Sequence, residues 1–165
     1  MTIRKWLPTD AEGVRNVLQL SWREAYSPFI PQTDLDYYID KTYSIASLIE
    51  MSKNSEYICY VVEIDNKIVG WLKLTENKEE GRFYLSSIYV LPECQKMRFG
   101  ENLYRIACEE AEKLHYNEIY IGVMVQNERA LNWYKKLGFQ FFEEQPFTMG
   151  TTSVPHLIGR KILEK

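Results

Sequence analysis

A mixed α+β fold, one sheet flanked by helices in an α/β/α arrangement, is what this sequence predicts, as a single domain over residues 1–165. Three observations lead there. Between Tyr57 and Pro92, three successive β-rich runs are joined by short polar turns, the pattern of an antiparallel meander. From Leu85 onward the chain alternates strand, helix, strand, helix and strand, and such crossovers require part of the sheet to run parallel. No repeat, low-complexity tract or linker divides the chain.

Taken in order, "TIRKWL" alternates apolar and polar residues and predicts a short strand with Ile3, Trp6 and Leu7 on its apolar side, ended by Pro8-Thr9-Asp10. From about Asp10, Val14, Val17, Leu18, Ser21, Trp22 and Ala25 form a helical stripe, which the two prolines of "SPFIPQT" stop. "TDLDYYIDK" and "SIASLIEMSKN" predict two short helices with a link near Thr42. "YICYVVEIDNKIVGWLKLTE" is a hairpin turning at Asp65-Asn66-Lys67, and "FYLSSIYVLP" is the third strand of the meander. The next helix carries Phe99, Leu103, Ile106, Ala107, Ala111 and Leu114 on one face and Glu101, Arg105, Glu109 and Glu112 on the other. The acidic run Glu109, Glu110, Glu112 is read as its wet side. "NEIYIGVMV" is a strand, and "NERALNWYKKL" a helix with Gly138 as its C-terminal glycine. "FQFFEE" and "HLIGRKIL" are the last two strands.

Composition limits the function. With 45% hydrophobic residues, 165 residues suffice for a buried core. Lys plus Arg number 20 against 23 Asp plus Glu, a net charge of −3, which gives no general attraction to nucleic acid or to an anionic membrane. Anion binding must therefore be local. Cys59, Cys94 and Cys108 form no CxxC pair, and His115 and His156 have no partners at a metal spacing and are read as surface or loop residues, so no disulfide framework or metal site is expected. The N-terminus has charges where a signal peptide needs its apolar run, and no stretch approaches the ~18 apolar residues of a membrane span. The expected location is the cytoplasm.

The stretch "CQKMRFGENLYRIACEEA" joins a basic turn to a helix. Unpaired N–H groups in a first helical turn carry partial positive charge and suit a phosphate, and Gly100 permits close approach. Lys96 and Arg98 add full charges, which a helix N-terminus disfavours unless an anion joins them. Downstream, Asn127 and Tyr134 are seven residues apart, close to two helical turns, and lie on nearly the same face. Asn127 can be read as an N-cap, and Tyr134 as a core aromatic like its neighbour Trp133.

Together these motifs resemble the GNAT family of acyl-CoA-dependent N-acetyltransferases. Gln95-Lys96-Met97-Arg98-Phe99-Gly100 stands where that family has Gln or Arg, two residues, Gly, one residue, Gly or Ala, with Arg98 in place of the first glycine. "NERALNWYKKLGF" follows the family's Asn, Ala, aromatic-Tyr, Leu-Gly-Phe series. The resemblance implies a mostly antiparallel sheet whose central strands run parallel and splay. It implies acetyl-CoA as co-substrate and no metal. Backbone groups of Ile88, Tyr89 and Val90 are then expected to pair with the pantetheine arm as an added strand, and amides from Lys96 to Glu101, with Gln95 before them, to hold the pyrophosphate. Asn127 and Lys136 complete the implied cofactor set, and Tyr134 is the implied acid that protonates the departing thiolate.

The acceptor is expected to be a primary amine of a small molecule. "FTMGTTSVPHLIGRKIL" resembles the C-terminal segment of PaiA-type spermidine/spermine N-acetyltransferases, which makes a polyamine the first candidate. Trp22, Tyr26, Tyr84 and Ser86 are candidate substrate contacts. Tyr37, Tyr38, Glu24, Asp34 and Asp36 offer the acidic or π-rich walls that a polyamine needs. The strand before the turn has Tyr84, Ser86 and Ser87 where the family often has a glutamate base, so a bound water and a carboxylate from elsewhere both stay open. Other readings are acetylation of a protein N-terminus or an aminoglycoside, a catalytically silent acyl-CoA-binding domain, and an interaction module that keeps only the fold. The aromatic-rich C-terminal region is a candidate homodimer contact.

Overall fold

The computed structural model describes residues 1–164 and contains a seven-stranded sheet in the order β1-β2-β3-β4-β5-β7-β6. Its strands are β1 (Thr2–Lys5), β2 (Tyr57–Ile64), β3 (Lys67–Asn77), β4 (Arg82–Val90), β5 (Glu118–Met124), β6 (Gln140–Met149) and β7 (Thr152–Ile162). Helices α1 (Ala11–Tyr26), α2 (Gln32–Thr42) and α3 (Ile45–Ser52) lie between β1 and β2, α4 (Phe99–Lys113) follows β4, and α5 (Glu128–Lys136) follows β5. The predicted class and element order hold. No helix among the described residues is long and apolar enough to cross a membrane.

Alternation along the strands puts helices on both faces. Tyr60 on β2 donates a 2.6 Å hydrogen bond to Glu110 of α4, while its neighbour Cys59 points the other way, beside Trp71 and Tyr43. The core between these layers includes Val14, Val17, Leu18, Leu72, Leu74 and Leu103, all fully buried. The β2–β3 hairpin turns through Asp65 and Asn66, both with positive φ (49° and 64°), the two-residue geometry that matches strand twist.

Four sequence expectations change. Glu110 is buried rather than wet, because it accepts from Tyr60 and lies 3.6 Å from Lys113. Leu114 falls at the C-cap of α4, where the helical stripe ends, and is exposed. The 3-10 turn at Pro8–Asp10 delays α1 to Ala11, since Asp10 accepts from the Leu7 amide and from Arg4. Finally, β6 and β7 run well past the predicted "FQFFEE" and "HLIGRKIL". Pro146 and Pro155 each lack a ladder donor, but they face each other as a register pair that needs no N–H from either, so the hairpin continues through them.

The parallel crossovers come out in an informative way. β4 and β5 are parallel neighbours, yet only Tyr84 and Tyr120 pair. β6 also runs parallel to β5, but β7 inserts between them, antiparallel to both. Beyond Tyr84 and Tyr120 the sheet therefore opens. A bulge contributes, for Lys73 pairs with Ser87 and Leu74 with Leu85, leaving Ser86 as the extra residue on β4.

Candidate active site

A cavity of 330 Å³ occupies this opening. β4 lines it from Leu85 to Tyr89 and β5 from Gly122 to Met124, so the unpaired edges of the splayed strands face it. Aromatic rings of Trp22, Tyr26, Tyr38, Tyr43 and Phe147 form another wall, and Asn127 and Tyr134 come from α5. Trp22 Nε1–H is buried behind this wall, near Tyr89 but with no acceptor in good hydrogen-bonding geometry among the described residues.

Asn127 and Tyr134 meet at the cavity as their spacing predicts. The cap is also real: Asn127 Oδ1 accepts from the Ala130 amide at 3.3 Å, which leaves the two N–H donors of the same side-chain amide uncommitted by the cap. Tyr134 is 7% exposed and packs edge-on against Phe139 with ring centroids 5.4 Å apart. Burial, reinforced by Tyr26 and Tyr104, pushes its phenol well above the ordinary range, so the proton stays on the oxygen.

The phosphate-like turn is a 3-10 segment, Pro92–Met97, followed by Arg98 at φ 60°, ψ 22°. This is the left-handed region where glycine is at ease, so the arginine occupies a glycine conformation as well as a glycine position. Arg98 is the N-cap of α4, its carbonyl accepting from Asn102, and the amides of Phe99, Gly100 and Glu101 have no intrahelical partner. Lys96, Met97, Arg98 and Glu101 are exposed around them, while the Phe99 side chain is core, so that residue can offer a ligand only its backbone. A Cβ on Gly100 would meet nothing closer than Trp133 of α5 at 3.7 Å, which leaves the approach to this helix end open and sets α5 beside it. Lys136 is exposed on α5, outside the cavity.

Other sequence candidates are placed differently. The Val90 carbonyl accepts from Ser21 Oγ and Gln95 Nε2, both at 3.4 Å, which ties the end of β4 to α1 and to the turn; Ile88 and Tyr89 line the cavity and Val90 does not. Tyr84 also lies outside, its hydroxyl between Arg82 (3.2 Å) and Glu80 (3.4 Å). Ser86 lines the cavity and bonds Thr75 Oγ1 at 2.6 Å. Trp22 and Tyr26 line it as expected, with Tyr26 Oη 2.9 Å from Tyr89 Oη.

The expected acidic wall is elsewhere. Asp34 is buried and accepts from the Thr151 amide (2.9 Å) and the Thr151 and Thr152 hydroxyls, tying α2 to the β6–β7 turn. Those bonds, the Thr151 amide first, hold its carboxyl below the usual range. Glu24 lies 3.9 Å from Arg129, and Asp36 accepts from Gln32. Tyr37 is exposed beneath Lys41, and of this group only Tyr38 reaches the cavity. Among the described residues, no carboxylate lines it.

Two residues that sequence reasoning missed do line it. Lys73 sits on β3, opposite Ser87, and His156 on β7, opposite Gln145. His156 Nδ1 is 2.8 Å from the Gln145 carbonyl, which can only accept, so Nδ1 carries a proton and Nε2 is the ring nitrogen left uncommitted by this bond. A Cβ on Gly122 would meet the ring at 2.9 Å, so that glycine makes the room for it. "HLIGRKIL" showed a strand starting at His156, but not which strand would lie beside it.

A splayed mixed sheet, a helix N-terminus left open beside it and an Asn–Tyr helix lining the gap describe the acyltransferase class. The chain matches the acetyltransferase (GNAT) family over residues 14–139 and belongs to it. An N-alpha-acetyltransferase of Sulfurisphaera tokodaii is 30% identical over 129 residues, 66% of this chain and 75% of that protein. Among solved structures, the PaiA N-acetyltransferase of Thermoplasma acidophilum in complex with coenzyme A has a TM-score of 0.84 at 21% identity, covering 98% of both chains. The yncA protein of Salmonella typhimurium, a putative acetyltransferase with acetyl-CoA, has a TM-score of 0.75 at 18% identity, covering 100% of this chain and 95% of that one. Among the described residues no cluster of side chains suits a metal ion.

Proposed function

We propose that this protein transfers the acetyl group of acetyl-CoA to a primary amine of a small molecule. The single observation that carries this is the gap between β4 and β5, which leaves two strand edges unpaired next to Asn127 and Tyr134. Ile88 and Tyr89 would pair with the pantetheine amides, and the amides of Phe99, Gly100 and Glu101, with Lys96 and Arg98 around them, would hold the pyrophosphate. Acetyl-CoA supplies an activated carbonyl, so the amine N–C bond forms as the C–S bond breaks. Tyr134 supplies the proton that the thiolate sulfur takes. His156, its Nδ1 committed, is placed to take the proton that the amine loses.

The polyamine expectation gains no support from the cavity, which has no carboxylate among the described residues that line it. A silent acyl-CoA-binding role is favoured by one feature, the left-handed Arg98. Thiol release from acetyl-CoA, measured against an amine panel with a no-amine control, tests the proposal. Saturable release supports transfer; tight acetyl-CoA binding in calorimetry with no release supports the silent role. For the base, His156→Gln should lower kcat/KM by about 10² or more with an ordinary amine, and far less with a weakly basic one already neutral at the assay pH. Equal losses for both would remove His156 from that role.

A further inference from the structure

Among the described residues Lys73 is the one lysine or arginine that lines the cavity, and no carboxylate lies within 4.0 Å of its Nζ. Its charge rests on two rings, 4.8 Å above the centroid of Tyr57 and 5.4 Å from that of Tyr43. Burial holds its ammonium below the ordinary lysine range, and Tyr57, Cys59 and the charge of Glu56 offset only part of that loss of water. Cation–π contact offsets only part of that cost. A desolvated cation in a cavity with no carboxylate among its described lining residues is therefore poised for an anionic ligand.

Its position limits where that anion sits. Lys73 pairs across the sheet with Ser87, next to the Ser86 bulge, on the strand whose free edge lines the cavity. An anion on Nζ is thus close to the groups proposed to hold the thioester, and the amine and the anion must belong to one compact molecule. Beyond them the wall is aromatic, with Trp22 5.8 Å from Tyr43 and Phe147 5.7 Å from Tyr38 by ring centroids, and it receives an apolar portion.

Resting on the transfer reading above, the geometry points to an acceptor that carries a carboxylate beside its amine, an amino acid with an apolar or aromatic side chain, held by Lys73. Spermidine puts a second ammonium where Lys73 already places a charge, and like charges at such range repel. A peptide N-terminus lacks the neighbouring carboxylate.

The test compares phenylalanine, phenylalaninamide and phenethylamine, which share a side chain, with spermidine as a fourth arm, in the thiol-release assay. The amide has the least basic amine, close to the ~7.7–8.0 of a peptide α-amino group, and so offers the most neutral nucleophile near pH 7.5. Preference for the acid would run against that intrinsic order. We expect phenylalanine to exceed the amide in kcat/KM by roughly ten- to a hundredfold, as a charge-assisted hydrogen bond allows, with the ratio falling toward about one in Lys73→Gln. An amide equal to or better than the acid, or a ratio unchanged in Lys73→Gln, overturns the inference. If no amine gives release, the transfer reading fails, and calorimetry on the coenzyme A complex decides this one separately. Tighter binding of phenylalanine than of its amide, lost in Lys73→Gln, supports it; equal binding overturns it.

Discussion

Tyr134→Phe separates chemistry from architecture cleanly. The ring is held by Phe139 and, at 4.9 Å, by Trp133, and α5 closes through the 3.1 Å bond from the Phe139 amide to the Tyr134 carbonyl; the variant keeps all three. Only the hydroxyl goes, so stability should change by less than about 1 kcal/mol. Because burial raises the phenol, it holds its proton throughout the neutral range and can act only as an acid. Loss of a positioned acid costs about 10²–10⁴ in rate, which is ~2.7–5.4 kcal/mol of barrier. Thiol release at saturating acetyl-CoA should show that fall in kcat, while the coenzyme A Kd measured by calorimetry stays within about twofold. A kcat within about threefold of wild type would refute the acid role and return Tyr134 to a core aromatic.

Asn127 has two duties that substitution can split. Asn127→Ser keeps a capping oxygen and should leave stability near wild type while raising the acetyl-CoA KM, whereas Asn127→Ala should also cost about 1 kcal/mol in denaturant unfolding; wild-type affinity in the serine variant would leave only the cap. Arg98→Gly removes a left-handed arginine worth roughly 1 kcal/mol of strain and adds glycine's chain entropy of similar size, so stability should hardly move. Coenzyme A binding should weaken about severalfold at low salt, with the gap closing at high salt; unchanged low-salt affinity would place the guanidinium away from the pyrophosphate. Asp34→Asn should lower the melting temperature by loosening the β6–β7 turn. The folded carboxyl is depressed, so its contribution is complete above the unfolded value near ~3.9 and is lost as pH falls through the folded one. The difference between the two proteins should be constant from about pH 5 upward and shrink below about pH 4; a constant difference at acid pH would count against the tether.

What could be read along the chain was whatever depends on near neighbours. Asn127 and Tyr134 share a helix face by spacing alone, and Asp65-Asn66 turns a hairpin by local backbone preference. The open end of α4 follows from a helix start, wherever that helix packs. Lys73, His156 and Asp34 were not legible, because the role of each is set by a residue far away: Ser87 across a bulge, Gln145 across a hairpin, Thr151 at 117 positions' distance. Composition could count the acids between Glu24 and Asp36, but only packing shows that they turn away from the cavity. The Val90 carbonyl shows the same limit, since the Ser21 hydroxyl that reaches it lies 69 residues earlier.

The opening of the sheet and the identity of the acceptor share a cause. β7 returns to pair with β5 along its whole length, from Glu118 to Met124, so β5 is committed on that side and follows β7. β4 is committed equally to β3, up to Val90 opposite Gly70. Neither strand can bend to meet the other without breaking a full ladder, and the extra residue at Ser86 steps β4 out of phase just beyond the last shared pair. The gap is thus held open by pairing elsewhere and needs no ligand to form. The same commitments bring Lys73 in from β3 and His156 in from β7, one from each side, to a space bounded by β4 and β5. On the proposed reading, an acceptor held there is recognised from β3 through Lys73 and reacted on from α5 and β7 through Tyr134 and His156. Substitution of Lys73 on β3 should therefore change which amine is used, while substitution of His156 on β7 or Tyr134 on α5 should change whether transfer occurs at all.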